Sequence, residues 1–279
     1  MIALRLQEPA FNPYLTDDYH LRLSIGTDGV AYTVADAQRL LVWAAHPWEV
    51  RVPPAQLHKR VQSLVRQEAL LQSNFAQTTA LITFAPTALI PTDWFEAWQT
   101  DTYLAHTLGS ENTEEMSRTD TYAPYAVQLA YALPQSFLHA LGTCFPQVVV
   151  QHSHTALLRA AQYMASRKQQ LCVYAMVRTG SLTIVVADAD RLYLLNTYSY
   201  QTANDFLYFA LLVYQQLQLS QKTTPLVLAG ELLPESEIFN SLSTYIKHID
   251  WAERPTQYQV GAVAQAQLAP HFLNDLLFT

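Results

Sequence analysis

VADAQRL occupies residues 34–40 and VADADRL occupies residues 186–192 of this chain of 279 residues. The two heptapeptides are offset by 152 residues, and each stands where a turn would join the second and third strands of a predicted three-stranded meander. Asp-Ala turns could recur by chance in an alanine-rich chain, since turn chemistry narrows the choice of residues. The agreement of the two heptapeptides in both amino-acid sequence and position favours an internal duplication.

The first half predicts a meander followed by alternating strands and helices. Asp28-Gly29, between apolar runs in residues 21–46, is typical of a hairpin. Apolar spacing of three and four after Pro53-Pro54 predicts one helix. Thr92 and Asp93 are expected to begin another helix, which runs through Trp98. The polar stretch 109–121 is expected to be an exposed loop.

The second half repeats this order. Three strands are predicted within residues 171–199, and Thr202 with Asp205 forms a capping-box pattern at the start of a helix that reaches about Leu219. That helix is apolar on nearly every side, so we expect it to be buried on most faces, with Phe206, Phe209 and Val213 almost inaccessible. A strand, a helix and a short strand follow, and residues 268–278 are expected to be helical.

Composition and charge exclude several classes of protein. Half of the residues are hydrophobic and 14% are charged, which indicates a compact globular chain. The net charge is −7, and no stretch mixes Lys or Arg with aromatics, so nucleic acid is disfavoured. No apolar run approaches the ~20 residues of a membrane-spanning helix. The N-terminal MIALRLQEP lacks the pattern of a signal peptide, and the two cysteines fit a reduced core, so we expect a cytoplasmic protein.

The second half resembles a known family. LYLLNTYSYQTANDFLYFALLVYQQL at 192–217 and PLVLAGELLPESEIFNSLSTYI at 225–246 are similar to the C-terminal half of the bacterial domain-of-unknown-function family 3822. The residues that carry the resemblance are Asn196, Tyr198, Tyr200, Thr202, Asp205, Phe206, Tyr208, Gly230 and Glu231. The resemblance implies an actin-like ATPase fold related to pilus-assembly and secretion proteins. It lends no catalytic residues, because the family has no established activity.

This fold is α/β and is a duplicated ribonuclease-H-like fold, with two lobes that each hold a mixed sheet flanked by helices. The repeat offset places the N-terminal lobe at residues 1–150 and the C-terminal lobe at residues 151–279. Actin-like ATPases bind phosphates at hairpin loops that carry carboxylates, and a glycine-rich loop holds the adenosine. Only seven glycines occur in this chain, which weighs against such a site.

The loops depart from the ATPase pattern in three places. Ser24 stands where the first carboxylate is expected, Met176 stands where the second is expected, and Gly230 is a single glycine followed by Glu231. The cleft residues that remain as binding candidates are Gly26, Thr27, Asp28, Arg178, Thr179, Gly180, Gly230 and Glu231. The Arg178–Gly180 turn could bind an anion or could be an ordinary solvated hairpin.

Two other patterns have competing interpretations. His152 and His154 form a His-x-His pair that could contribute to a zinc site, but two ligands are too few, and a helix capped by Ser153 or Thr155 is favoured. The tyrosines of one region could form an aromatic surface for a partner or the edge of a core. They are Tyr193, Tyr198, Tyr200, Tyr208 and Tyr214.

The sequence therefore favours a non-hydrolysing actin-like module that binds or scaffolds a protein partner. We expect no cofactor and no metal site, and we expect neither nucleic-acid binding nor membrane insertion. The alternative is a divergent nucleotide-binding ATPase in which acids such as Asp28 or Glu231 serve the cleft.

Overall fold

The computed structural model describes residues 3–108 and 115–279, and the chain forms two compact units. The first unit comprises Met1–Ala156, Thr256–Gln267 and Thr279. The second comprises Leu157–Pro255 and Leu268–Phe278. Residues 256–267, which the repeat offset assigns to the C-terminal lobe, thus belong to the first unit.

The strands are β1 (Leu4–Gln7), β2 (His20–Gly26), β3 (Gly29–Ala35), β4 (Arg39–Pro47), β5 (Gln77–Ile82), β6 (Thr87–Pro91), β7 (Glu115–Tyr122), β8 (Val127–Pro134), β9 (Val149–His152), β10 (Cys172–Arg178), β11 (Ser181–Ala187), β12 (Leu192–Ser199), β13 (Leu226–Gly230), β14 (Ile249–Trp251) and β15 (Gln259–Val260). The α-helices are α1 (Leu57–Gln67), α2 (Thr100–Leu108), α3 (Gln135–Cys144), α4 (Ser153–Lys168), α5 (Ala203–Gln216), α6 (Glu237–Tyr245) and α7 (Ala262–Gln267).

The main sheet of each unit has the same strand order. In the first unit the order is β4-β3-β2-β5-β9, with β1 and β15 added beside β4. In the second unit the order is β12-β11-β10-β13-β14. The meander strands are antiparallel, and the fourth and fifth strands run parallel to the first. These are mixed sheets flanked by helices, as predicted.

The turns at the two heptapeptides confirm the predicted duplication. The Asp36 carboxylate accepts hydrogen bonds from the backbone amides of Gln38 and Arg39, and the Asp188 carboxylate accepts them from Asp190 and Arg191. Both meanders also carry a shift in register at the same place, between residues 34 and 35 and between residues 186 and 187. The two turns are therefore equivalent in their hydrogen bonds as well as in their amino-acid sequences.

A small third sheet, β6-β8-β7, belongs to the first unit and corrects two predictions. Glu115–Tyr122 is a strand rather than an exposed loop, because its backbone pairs with β8 along its whole length. Residues 109–114 of the same predicted loop lie outside the described residues. The helix expected over residues 92–98 is instead two short 3-10 turns, Thr92–Trp94 and Ala97–Gln99, before α2.

Helix α5 begins as predicted and is less buried than predicted. The Thr202 side chain accepts from the Asp205 amide, and the Asp205 carboxylate accepts from the Thr202 amide. Phe206 and Val213 are buried against the second sheet. Phe209 is only partly buried and stacks on the ring of Tyr198, so the prediction that it would be nearly inaccessible is wrong.

The end of the chain contributes to both units. Residues 256–267 return to the first unit, where β15 pairs with β4 and the carboxylate of Glu8 accepts the amides of Val263 and Ala264 at the start of α7. Residues 268–278 belong to the second unit. They hold one 3-10 turn, Asn274–Leu277, so the α-helix expected there is wrong.

Candidate functional site

The hairpin turn of the first unit, Gly26–Gly29, is tied to the chain that follows β4. The Trp48 amide donates to the Asp28 carbonyl at 2.9 Å, and the Val52 amide donates to the Thr27 carbonyl at 2.8 Å. The indole nitrogen of Trp48 donates to the Gly26 carbonyl at 3.2 Å. Three carbonyl oxygens of this turn therefore already have partners within the unit.

Glycine at position 26 is required by close packing. A Cβ atom on Gly26 would lie 2.6 Å from Thr83 Oγ1 and 2.5 Å from Asp28 Oδ1. The other carboxylate oxygen of Asp28, Oδ2, is buried and has no hydrogen-bond partner among the described residues. An unpaired buried oxygen is costly, so this carboxylate is the feature of the first turn that best fits a missing ligand.

The positions expected to carry the phosphate-loop carboxylates are inside the two units. Ser24 is 1% exposed in β2, and Met176 is 2% exposed in β10. The two residues are equivalent under the 152-residue offset. Magnesium prefers hard oxygen ligands, which a buried thioether does not provide. Neither strand therefore supplies the acid on which actin-like ATPase chemistry depends.

The turn of the second unit, residues 178–181, joins β10 to β11. Gly180 has φ +74°, and its carbonyl accepts the Tyr200 amide. The Tyr200 hydroxyl donates to the Arg178 carbonyl at 3.0 Å. The Thr179 hydroxyl donates to Glu231 Oε2 at 3.0 Å. Four of the candidate residues, Arg178, Thr179, Gly180 and Glu231, thus lie in one hydrogen-bonded group.

Gly230 is required by the backbone at the end of β13. Its φ is +91°, and a Cβ atom there would lie 2.1 Å from the Val177 carbonyl oxygen. The Glu231 amide donates to that same oxygen at 2.8 Å. The Gly230 amide itself donates to the His271 carbonyl at 2.8 Å. This glycine therefore has a full structural explanation within the second unit.

The C-terminal segment, residues 268–278, covers the carboxyl ends of β10 and β13 through side-chain contacts. Arg178 donates to the carboxylate of Asp275, which is 2% exposed. The Tyr174 hydroxyl donates to the Asn274 side-chain oxygen at 2.9 Å. Burial and then the charge of Asp275 raise the pKa of Tyr174 well above its usual value, so it stays a neutral donor.

His271 holds the start of this segment in place. Its Nε2 donates to the Leu232 carbonyl at 3.0 Å, and its ring stacks on Trp251 with centroids 4.2 Å apart. Burial lowers the pKa of His271 below its usual value, so the neutral form is favoured. The segment is thus held by an ion pair, by aromatic contacts and by several side-chain hydrogen bonds, among them those of Tyr174 and His271.

These contacts use two of the candidate binding groups within the second unit. Arg178 in the second turn is paired with the carboxylate of Asp275, and the Gly230 amide donates a hydrogen bond to the His271 carbonyl. Among the residues that the structure describes, no group of three or more His, Cys, Asp or Glu side chains could hold a metal ion. The charge of Arg178 in the second turn is balanced by the carboxylate of Asp275.

The His-x-His pair lies in a buried polar cluster of the first unit. His152 Nε2 donates to the Ala85 carbonyl at 2.8 Å, and its Nδ1 accepts the His154 amide at 3.1 Å. His154 Nδ1 lies 2.8 Å from the Thr87 hydroxyl. At least three of the four imidazole nitrogens contact protein groups, which supports a structural role for the pair.

The sequence reasoning missed Asp120, the centre of this cluster. Its carboxylate accepts the His152 amide at 2.6 Å, the Thr155 hydroxyl at 2.8 Å and the Tyr131 hydroxyl at 3.0 Å. Burial raises the pKa of Asp120 despite these three donors. Asp120 thus joins β7 to the end of β9 and the start of α4, where the His152 ring accepts the amide of His154. Ser153 or Thr155 had been expected to cap that helix.

The tyrosines of the second unit do not form one surface. Tyr214 is buried and its hydroxyl donates to the Thr224 carbonyl at 3.1 Å, whereas Tyr208 is 61% exposed. Tyr198 and Tyr200 are partly buried and pack against the core. Most of this set therefore forms the edge of the core.

Two copies of a meander, helix, strand, helix and strand, with the strand order described above, define the actin-like ATPase fold. The family model described as "Protein of unknown function (DUF3822)" matches residues 8–249. The chain belongs to this family. No curated protein matches the sequence.

Three solved structures are similar to this chain in fold. A Bacteroides thetaiotaomicron protein with an actin-like ATPase fold and unknown function has a TM-score of 0.75 and 18% identity over 86% of this chain and 93% of its own. A chain of the PilM–PilN type IV pilus biogenesis complex has a TM-score of 0.57 and 12% identity over 93% and 97%. The ethanolamine utilization protein EutJ from Carboxydothermus hydrogenoformans has a TM-score of 0.53 and 11% identity over 98% and 93%.

The helices set one further limit. In the described part of the chain, none is both long and apolar enough to span a bilayer.

Proposed function

We propose that this protein is a non-hydrolysing actin-like module that binds or scaffolds a protein partner. The proposal rests on the contacts that Arg178 and Gly230 make within the second unit. Arg178 is paired with Asp275, and the Gly230 amide is bonded to the His271 carbonyl. Arg178, a candidate contact for an anion, and the amide of Gly230, a candidate of the adenosine loop, are thus occupied by the chain itself. Ser24 and Met176 provide no carboxylate for a metal.

A protein partner is the natural ligand for such a module. One structure of similar fold is a chain of a complex of two different proteins, PilM and PilN of type IV pilus biogenesis. We therefore propose a role related to pilus-assembly and secretion proteins, with no cofactor and no nucleic-acid partner. The net charge of −7 supports the exclusion of nucleic acid. Cys144 and Cys172, free in the structure, support a reducing compartment such as the cytoplasm.

The test is a pair of assays on the purified protein. A nucleotide at 100 times its dissociation constant would stabilise the fold by about 2.7 kcal/mol. We expect no such rise in melting temperature with magnesium and ATP, and no phosphate release above a blank without enzyme. A saturable rise together with steady release would refute the proposal.

The alternative, a divergent nucleotide-binding ATPase, has two observations in its favour. The buried Oδ2 of Asp28 has no protein partner among the described residues, and Glu231 contacts the second turn through Thr179. If phosphate release occurs and disappears in Asp28→Asn or Glu231→Gln, this alternative replaces the proposal. Equal residual release in both variants and the wild type would indicate a contaminating ATPase.

A further inference from the structure

Two tryptophans of the first unit stand out from the surface. Trp94 is 76% exposed and Trp98 is 80% exposed, whereas Trp43 is fully buried and Trp48 and Trp251 are partly buried. Burying a large aromatic side chain stabilises a protein by about 1.5 to 3 kcal/mol, so an exposed pair forgoes a large stabilisation. Tryptophan is also the residue most enriched at the energetic centres of protein interfaces. We call residues 91–98 the tryptophan segment.

The tryptophan segment is held in a fixed conformation, although it has no regular helix. The Tyr103 hydroxyl donates to the Trp94 carbonyl at 2.9 Å and accepts the Glu96 amide at 3.1 Å. The Phe95 ring, between them, packs against the Tyr103 ring with centroids 5.9 Å apart. Inward packing of Phe95 leaves its neighbour Trp94 exposed.

The two ends of the segment are also anchored. The Thr92 amide donates to the Ala126 carbonyl at 2.8 Å, and the Thr100 hydroxyl donates to the Ala97 carbonyl at 2.7 Å. Trp98 lies within the turn that the Thr100–Ala97 hydrogen bond closes, directly before α2. A backbone that is already ordered loses little conformational entropy on binding, which is the general advantage of a preorganised surface.

The charged residues nearest to the pair along the chain are all acidic. Asp93, Glu96 and Asp101 are all exposed. No Lys or Arg occurs anywhere from residue 67 to residue 117. Carboxylates beside indole rings attract a cationic group, and the face of an indole ring is the best aromatic surface for Lys or Arg. The segment therefore combines apolar contact with recognition of positive charge.

The same charge disfavours the other occupants. Tryptophans that insert at a bilayer surface act together with Lys and Arg, which bind anionic lipid, and this segment has acids in their place. In a symmetric dimer through this face the acids of two copies would oppose each other, which is unfavourable.

We propose that Trp94 and Trp98 form the docking surface for a segment of a partner protein in which Lys or Arg residues stand beside apolar side chains. The inference rests on the proposed function, since it gives the chemistry of the partner of a binding module. Asp93, Glu96 and Asp101 supply the charge that selects this partner, and the indole rings supply the contact area.

The test begins with a random 12-residue peptide library displayed on phage and selected on the purified protein. The expected winners combine Lys or Arg with aromatic or aliphatic residues. Their dissociation constants, measured on synthetic peptides, should rise at least tenfold for Trp94→Ala/Trp98→Ala. They should rise about three- to tenfold for Asp93→Asn/Glu96→Gln/Asp101→Asn, and added salt should weaken binding to the wild type more than to this variant.

The matched control is Tyr245→Ala, which removes another exposed aromatic side chain, 52% accessible, from α6 of the second unit. This variant should bind the peptides as the wild type does. All of these substitutions are at exposed positions, so circular dichroism and melting temperature should stay at wild-type values and confirm that the variants fold.

Several results would overturn the proposal. These are the absence of enriched peptides, winners that are acidic or uncharged, and binding that is unchanged in the double tryptophan variant. Co-sedimentation with phosphatidylglycerol vesicles that is lost in that variant would make a membrane the occupant. A dimer in sedimentation velocity that the variant lacks would make a second copy the occupant.

The outcome is separable from that of the proposed function. Peptide binding is measured without nucleotide, and phosphate release is measured without peptide. Release of phosphate with intact peptide binding would refute only the absence of hydrolysis. Failure of peptide binding without any phosphate release would refute only this docking surface.

Discussion

The contact between Arg178 and Asp275 predicts an asymmetric response to mutation. The Asp275 side chain is 2% exposed, whereas the Arg178 side chain is 15% exposed. Removal of one partner from a buried pair costs about 3 to 5 kcal/mol, because the remaining charge has neither water nor a counter-ion. Arg178→Met leaves the carboxylate in that position, so we expect the full loss of about 3 to 5 kcal/mol.

The reverse substitution should cost less. Asp275→Asn keeps the shape of the side chain, and the long stem of Arg178 allows its guanidinium to reach water. We expect a loss of about 1 to 2 kcal/mol, close to that of one charged hydrogen bond. The double variant Arg178→Met/Asp275→Asn buries no unpaired charge. It should therefore be more stable than Arg178→Met alone by about 1 to 3 kcal/mol.

Urea unfolding gives the free energies, and hydrogen exchange gives the local effect. The Gly230 amide, bonded to the His271 carbonyl, should lose protection in Arg178→Met. The control is Arg167→Met, which breaks the exposed pair with Glu253 in the same unit and should cost less than about 1 kcal/mol. Equal losses in the two single variants, or a double variant with the sum of both losses, would refute the reasoning.

Three further predictions follow from the same structure. In urea melts, Phe206→Ala should lower the free energy of unfolding by about 3 to 5 kcal/mol and Phe209→Ala by about 1 to 2 kcal/mol. The difference is expected because only Phe206 is fully buried, and equal losses would contradict this. Asp36→Ala and Asp188→Ala should each cost about 1 to 2 kcal/mol in the same assay, because each carboxylate accepts two backbone amides; a neutral effect at one turn would break the equivalence. Burial lowers the pKa of His271, so protonation below about pH 6.5 favours the open state of residues 268–278 over the closed one. Protection factors in this segment, taken relative to the intrinsic exchange rate at each pH, should therefore fall between pH 7.5 and 5.5 in the wild type and much less in His271→Asn.

The sequence predicted the parts of the fold whose signals are local. Asp28-Gly29 predicts the first hairpin through turn chemistry alone, and Thr202 with Asp205 predicts the start of α5 through reciprocal capping. The repeated heptapeptide predicted the duplicated sheet, because equal turns at a constant offset imply equal strands on either side. The hairpin and the helix start depend on residues only a few positions apart, and the repeat is visible in the letters of the sequence without any knowledge of contacts.

The missed parts depend on contacts that are distant in sequence. The polar strand Glu115–Tyr122 forms because β8 offers a backbone partner, and Asp120 is buried because β9 and α4 bring His152 and Thr155 to it. The chain over 268–278 has apolar spacing that suits a helix, but its ion pair joins residues 97 positions apart. Local propensity is a weak prior beside such tertiary contacts.

Gly26 in the first turn and Gly230 at the end of β13 both have structural explanations that involve no ligand. Glycine is needed at position 230 because β10 approaches so closely that a Cβ atom would collide with the Val177 carbonyl, and at position 26 because Thr83 and Asp28 fill the space. Both requirements arise from packing within one unit and involve no ligand. The positions where ATPase chemistry needs an acid are different, since the strands accept Ser24 and Met176 there as buried side chains. A glycine at a strand end in this fold is therefore weak support for nucleotide binding, and the carboxylate positions are the ones that discriminate.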